Sequence, residues 1–237
     1  MLDPKGRVAL ISGANRGIGL AIAAELFAQG WSLSLGLRDP AGMTEKTAGW
    51  EVSRLHIARY DAHNWASHQA WVDAALTRFG RIDALINNAG ISSKMTIRDA
   101  DETVLDDIWA VNCKAPLSMI KSALPALEAS GSGRILNVAS MSGKRVRNDN
   151  VAYNMSKFAV LALTHAARRL SWDKGVRATA ICPSFVRTDM TADATKIGRN
   201  EMIDPSDFAV LAATVLALPN NAAVAELLVN CRLEDML

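Results

Sequence analysis

The chain has 237 residues, half of them hydrophobic, enough to bury a sizeable core, and α/β chains of this length commonly stay undivided, so one domain over 1–237 is expected. A net charge of +2, with no long run of Lys and Arg at either end, argues against a polyanion-binding surface, so nucleic acid is not an expected partner. Cys113, Cys182 and Cys231 are odd in number, widely spaced and without a CxxC or His cluster, which argues against a disulfide framework or a zinc site; the short apolar run before Ser12 suits neither a signal peptide nor a membrane span. A soluble cytoplasmic protein with reduced thiols and no membrane contact is the expectation.

Val8 to Ile11 is a continuous apolar run ended by Ser12 and Gly13, as expected of a strand buried on both faces of a parallel sheet. Leu20, Ile22, Ala23, Leu26 and Phe27 then recur at helical spacing until Gly30, a natural helix stop. Leu33 to Gly36, Leu55 to Tyr60 and Ala84 to Ile86 predict the next three strands, with a helix over Trp65 to Phe79 between the last two. Long helical patterns follow at about Val104 to Ala129 and Val151 to Asp173, separated by a strand over Arg134 to Ala139. Arg177 to Cys182 and Glu226 to Asn230 read as the sixth and seventh strands. Strands alternating with helices, without repeats or low-complexity linkers, predict an α/β doubly wound, mostly parallel seven-stranded sheet with ligands at the carboxyl ends of its strands.

The first turn, Gly13-Ala14-Asn15-Arg16-Gly17-Ile18-Gly19, lies between a strand and a helix. Glycine permits the tight turn and lets backbone N–H groups approach a pyrophosphate, which the helix N-terminus also favours; alone, such a turn is equally a tight connection with no ligand. An acidic residue at the end of the second strand would bind the ribose hydroxyls of NAD and repel a 2'-phosphate. Here that end reads Gly36-Leu37-Arg38, with Leu37 at the acidic position, while Arg38 and Arg16 suit a 2'-phosphate. NADP(H) is the expected cofactor, and Asp39 keeps NAD(H) open.

Tyr153 and Lys157 lie four apart in a predicted helix and therefore share a face. A free tyrosine, with a pKa of about 10, is a poor base at neutrality, and a neighbouring ammonium favours its phenolate. Ser140, at the end of the fifth strand, suits a hydrogen bond to a carbonyl oxygen, although Ser142 competes and a strand-end serine is also a common turn residue. Asn112 sits inside a helical pattern, where asparagine is unfavourable and marks a kink, a buried hydrogen bond or a functional group.

Taken in order, Gly13-xxx-Gly17-x-Gly19, Asn87-Asn88-Ala89-Gly90, Asn112, Ser140 and Tyr153-xxx-Lys157 resemble the short-chain dehydrogenase/reductase family from Arg7 to about Thr188. The resemblance implies a Rossmann fold and a catalytic tetrad of Asn112, Ser140, Tyr153 and Lys157. Tyr153 would exchange a proton with the carbonyl or alcohol oxygen of a small organic substrate, Ser140 would hold that oxygen, and Asn112 would hold a water for proton relay past Lys157. It implies that Asn15, Arg16 and Ile18 join the three glycines at the cofactor. Asp61 would face the adenine amino group; Asn88, Ala89 and Gly90 the adenine ribose; and Tyr153 and Lys157 the nicotinamide ribose. Pro183, Ser184, Val186 and Thr188 match the segment that cradles the nicotinamide.

Two departures stand out: Ser184 replaces a glycine, and Asn230-Cys231-Arg232, followed by Leu233-Glu234-Asp235, replaces a glycine pair. The tail in this family often helps build tetramers, so a homodimer or homotetramer is expected. About Asp189 to Asp204 is expected to form an adaptable apolar lid over the substrate, with Met190, Met202 and Ile203. The four histidines are scattered and propose no metal. Trp65 and Trp71 read as packing, Asp99, Asp101 and Glu102 as helix N-terminal charges, and Lys144-Arg145-Val146-Arg147 as a solvated loop or a contact for an anionic substrate group. An enoyl reductase of the same superfamily would space tyrosine and lysine by six intervening residues, not the three here. A nucleotide sensor that has lost catalysis is the alternative from another class, and the intact tetrad argues against it.

Overall fold

The structure is a computed structural model that describes residues 1–233. Seven parallel strands form one sheet in the order β3-β2-β1-β4-β5-β6-β7: β1 Val8–Ser12, β2 Ser32–Leu37, β3 Leu55–Arg59, β4 Ala84–Asn87, β5 Arg134–Val138, β6 Arg177–Pro183 and β7 Glu226–Val229. The order reverses between β1 and β4, which pair in parallel with Leu10 opposite Leu85, the point at whose carboxyl ends sheets of this kind take their ligands. Strand β1 is buried throughout, and its side chains alternate between two cores: Ala9 and Ile11 join Ile22, Leu26 and Phe208 on one face, whereas Val8 and Leu10 join Trp71, Met119 and Leu127 on the other.

Helix α1, Gly17–Gln29, ends at Gly30, whose φ of 105° lets its N–H cap the Leu26 and Phe27 carbonyls. After the short α2, Met43–Lys46, helix α3 covers Trp65–Phe79, the predicted bounds. Trp71 lies across β2 because residue 36 has no side chain: a methyl group on Gly36 would come within 2.5–2.7 Å of the indole ring. The indole Nε1 donates to Ser34 Oγ at 2.8 Å, whereas Trp65 stays half exposed at the helix start.

The pattern read as one helix from Val104 to Ala129 is instead α4 Glu102–Trp109, a five-residue π-helical stretch Ala110–Lys114, and α5 Ala115–Ala129. Two causes are visible. Pro116 has no N–H to give the Asn112 carbonyl, the bond an α-helix would make there, and the Asn112 side chain is drawn into contacts outside the helix. Asp101 caps α4 by accepting from Thr103 N and Val104 N, while Asp99 bonds Thr96.

Helix α6, Val151–Leu170, stops three residues before the predicted Asp173, where residues 171–175 turn through Gly175 at φ 81°. The sixth strand runs one residue further than expected, to Pro183, and the seventh one less, to Val229. Helix α7, Pro205–Leu216, was not anticipated, although Asp204 as N-cap and proline at the first helical position are start signals. Among the described residues no helix is long and apolar enough to cross a membrane.

Candidate active site

At the carboxyl end of β1, Gly13 and Gly17 hold φ values of 68° and 53°, a region open to glycine at little cost. Arg16 stands at the N-cap of α1 without a side-chain cap bond, and the first turn carries no acid. Its first amides are therefore left to an anion, which fits the diphosphate of a dinucleotide. Gly19 packs the helix on the turn, since a methyl group there would lie 2.5 Å from the Gly13 carbonyl oxygen. Ile18 is half-buried against the core, and Asn15 is exposed.

The turn is braced from β4. Ser12 Oγ accepts from the backbone N–H of Asn88 and of Ala89 at 3.1 Å each, and Asn88 Nδ2 donates to the Ser12 and Gly13 carbonyls. Ser12 escaped the sequence reading because its partners are 76 and 77 residues away. So did Lys46, whose Nζ donates to the Asn15 carbonyl at 2.6 Å. Leu37 is buried, Arg38 is exposed, and Asp39 turns its carboxylate back to the Ala41 N–H at 2.9 Å. Asp61 follows β3; a hydrogen bond from the His63 N–H, 3.0 Å from its Oδ1, holds the carboxyl below its ordinary range.

The residues of the expected tetrad come from the π-helical stretch, the end of β5 and the first turns of α6. Ser140 caps a short turn, Met141–Gly143, and its Oγ accepts from Ser142 N at 3.0 Å. That acceptor role leaves the hydroxyl proton for another oxygen. Ser142, the competitor, thus supports Ser140 through its backbone. Lys157 is buried; its Nζ donates to the Val138 carbonyl at 2.9 Å and lies 5.4 Å from the Tyr153 ring centroid. Among the described residues the Tyr153 hydroxyl has no hydrogen-bond partner, so its proton chemistry is open to a ligand.

Asn112 is buried. Its Nδ2 donates to the Ile91 carbonyl at 3.0 Å and Ser156 Oγ at 2.9 Å, while Oδ1 accepts from Ile91 N at 2.9 Å. Both amide protons are therefore used, and Oδ1 keeps one lone pair. Gly90 lies between these groups: a methyl group on it would sit 3.3 Å from Asn112 Oδ1 and 3.8 Å from Lys157 Nζ. Ser156 completes the link by donating to the Tyr153 carbonyl at 2.8 Å. Deeper in the sheet, Asn87 Nδ2 donates to Asn137 Oδ1 and Asn137 Nδ2 to Thr164 Oγ1, both at 2.8 Å, tying β4, β5 and α6 beneath the site.

After Pro183 the chain leaves β6. Ser184 Oγ sits 2.6 Å from Phe185 N and 3.0 Å from Cys231 Sγ, so the two departures noted in the sequence touch each other. Glu234 and Asp235 of the proposed assembly tail lie outside the described residues. Val186 bridges in parallel to Ile203, and Arg187 pairs with Asp204, so both ends of the segment between them are pinned together. Thr188 caps the turn Asp189–Thr191 and packs against the glycine-rich turn after β1: a methyl group on Gly17 would lie 3.1 Å from its Cγ2. Arg16 meets Asp189 at 3.2 Å, with both side chains mostly in solvent.

A groove of about 470 Å³ runs along Arg16, Gly17, Lys46, Arg187 and Thr188, and a second concavity of about 460 Å³ adjoins it at Arg199, Met202 and Cys231. Neither includes Ser140 or Tyr153. Burial pushes the Cys113 and Cys182 thiols up to about 11, which keeps both from acting as thiolates at neutral pH. Among the described residues no three His, Cys, Asp or Glu side chains converge as a metal ion requires.

Comparison with known proteins adds a family and its neighbours. A family model described as short chain dehydrogenase matches residues 7–197. An agropine synthesis reductase of Rhizobium rhizogenes is 45% identical over 230 residues, covering 97% of this chain and 53% of its own length. The chain thus spans about half the length of these curated relatives. The crystal structure of 3-ketoacyl-(acyl-carrier-protein) reductase from Brucella melitensis complexed with NADH superposes with a TM-score of 0.88 at 28% identity, covering 96% of this chain and 98% of that one. An alcohol dehydrogenase from the archaeon Thermococcus sibiricus complexed with 5-hydroxy-NADP gives 0.86 at 25% identity, with 94% and 95% covered.

Proposed function

The chain belongs to the short-chain dehydrogenase family, whose members are nicotinamide-dependent oxidoreductases, and from that premise we propose that it interconverts a carbonyl and an alcohol on a small organic molecule with Tyr153 as the acid/base. The observation that carries this reading is the approach of Lys157 Nζ to the Tyr153 ring, 5.4 Å from its centroid; the Ser140 hydroxyl, at the end of β5, keeps its proton to donate. A bound nicotinamide nucleotide supplies or accepts the hydride. Ser140 donates to the reacting oxygen and holds it in place; Tyr153 gives that oxygen a proton in reduction and takes it back in oxidation. The Lys157 ammonium, fixed by the Val138 carbonyl, stabilises negative charge on the phenol and has donors left for a ribose hydroxyl. Asn112 contributes through the remaining lone pair on Oδ1, which borders Gly90 beside Lys157 and suits a relayed water.

The cofactor reading is NADP(H). Leu37 offers no carboxylate, Asp39 is engaged with its own turn, and Arg38 stands exposed beyond β2 with Arg16 on the neighbouring turn. The cofactor residues would be Gly13, Asn15, Arg16, Gly17, Ile18, Gly19, Arg38, Asp61, Asn88, Ala89, Gly90, Tyr153, Lys157, Pro183, Ser184, Val186 and Thr188. The reductases among the similar proteins support the reductive direction.

The chain works as one domain in the cytoplasm, with about Asp189 to Asp204 closing over the substrate. It assembles through apolar side chains left half exposed on α5 and α6, among them Leu117, Met155 and Phe158. Initial rates of NADPH and NADH oxidation against a panel of ketones, aldehydes and quinones test the reading. Turnover with a higher kcat/KM for NADPH is the expected result; preference for NADH would overturn the cofactor assignment, and binding without turnover of any carbonyl would favour a nucleotide sensor.

A further inference from the structure

Beyond the tetrad, a carboxylate on β7 reaches two other elements at once. Glu226 Oε2 receives Lys144 Nζ at 2.8 Å, and its Oε1 meets His165 Nε2 at 2.6 Å. The Glu226 side chain is 17% exposed, and its two partners hold its carboxyl below the ordinary glutamate range. Lys144 closes the turn that starts at Ser140: its N–H bonds the Met141 carbonyl, and the Gly143 N–H bonds the Ser140 carbonyl, both at 2.9 Å. His165 lies two helical turns beyond Lys157 on α6.

The same turn presses directly on α6. A methyl group on Gly143 would lie 2.6 Å from the Lys157 carbonyl oxygen, so glycine is what permits this approach. Backbone contact alone sets a minimum separation and does not hold the turn down. A carboxylate that grips Lys144 on the turn and His165 on the helix supplies the pull in the other direction, and its partial burial protects it from the screening that weakens a surface pair.

We propose that Glu226 is a positioning residue: through Lys144 it clamps the Ser140 turn onto α6, and so fixes the Ser140 hydroxyl relative to Tyr153. The inference rests on the reading of Ser140 as donor to the reacting oxygen. Glu226 touches neither substrate nor cofactor and acts only through Ser140.

The experiment measures kcat, KM for a turned-over carbonyl, NADPH affinity by direct fluorescence titration and melting temperature for the purified full chain. Glu226→Ala lowers kcat about tenfold and changes the NADPH Kd less than about twofold, the scale of a misplaced polar contact. Lys144→Met reproduces that loss, and the double variant is no worse than either. Glu226→Gln, whose amide oxygen still accepts from Lys144, recovers most of the rate. In a Ser140→Ala background, Glu226→Ala costs less than about twofold further, because the group it positions is gone. An undiminished kcat in folded Glu226→Ala and Lys144→Met, with Ser140→Ala impaired, overturns the inference and leaves the function reading intact. An equal further loss in the Ser140→Ala background overturns it in favour of general loosening. A Ser140→Ala variant with normal kcat removes the reading of Ser140 and the inference with it.

Discussion

Around Ser140, Lys157 and Asn112 the polar groups are buried and fixed by backbone partners, whereas around Arg16, Arg38 and Asp189 they stand largely in solvent. The first region has fixed geometry: Lys157 is tied to Val138, Asn112 to Ile91 and Ser156, and Ser140 to its own turn. The second has charge without fixed geometry, the ion pair between Arg16 and Asp189 lying open to water. Buried, hydrogen-bonded groups hold reacting atoms in place and are costly to disturb, while exposed charges choose among ligands and yield to salt. On this account the reaction is set by the first region and the cofactor by the second.

Substitutions separate the two. Lys157→Met is expected to lower kcat by roughly 10²–10⁴, the usual worth of acid–base assistance, and also to weaken NADPH binding, since in the proposed reading the same ammonium serves both. Gly143→Ala forces a methyl group toward the Lys157 carbonyl; it lowers the melting temperature, costs about 1–3 kcal/mol as overpacking does, and reduces kcat with little change in NADPH Kd. Equilibrium unfolding and steady-state rates check both parts.

Arg38→Ala weakens NADPH binding about tenfold, the scale of one charge-assisted hydrogen bond, and leaves NADH binding unchanged. Raising the salt concentration shrinks that difference, whereas kcat at saturating cofactor stays constant. Loss of kcat in Arg38→Ala would erase the division between the regions. Asp189→Asn, which frees Arg16 from an exposed partner, tightens NADPH binding by less than about threefold.

The smallest effect is a pH dependence. Glu226 is depressed in the folded chain, first by its hydrogen bond from Lys144, so its stabilising contribution is present at neutral pH and is lost as pH falls through its folded value. Glu226→Gln therefore lowers the melting temperature at pH 7 and converges with wild type in acid. Equal differences at both pH values would contradict this assignment.

Much of the scaffold was legible in the sequence because buried parallel strands are short apolar runs and glycines punctuate them. Helix α3 matched its expected bounds for the same reason: a clean periodic pattern closed by Gly80. The π-helical stretch was not legible as such, because it depends on Asn112 meeting Ile91 and Ser156, 21 and 44 residues away; Pro116 is its one local cause in the sequence. Helix α7 is signalled locally only by Asp204-Pro205, at the end of the segment whose apolar residues suggest a lid. Among site residues, those carried by motif order were nameable. Lys46 and Glu226 were not, because their partners at Asn15 and Lys144 lie 31 and 82 residues away and only the folded sheet brings them together.

The most direct test of the account is Tyr153→Phe, assayed for turnover of a reducible carbonyl and, on the same preparation, for NADPH binding. The account predicts that NADPH affinity stays within about twofold of wild type while kcat falls by roughly 10²–10⁴, since only the ionisable hydroxyl is removed. Wild-type turnover by the phenylalanine variant would contradict the assignment of Tyr153 as the proton donor and acceptor.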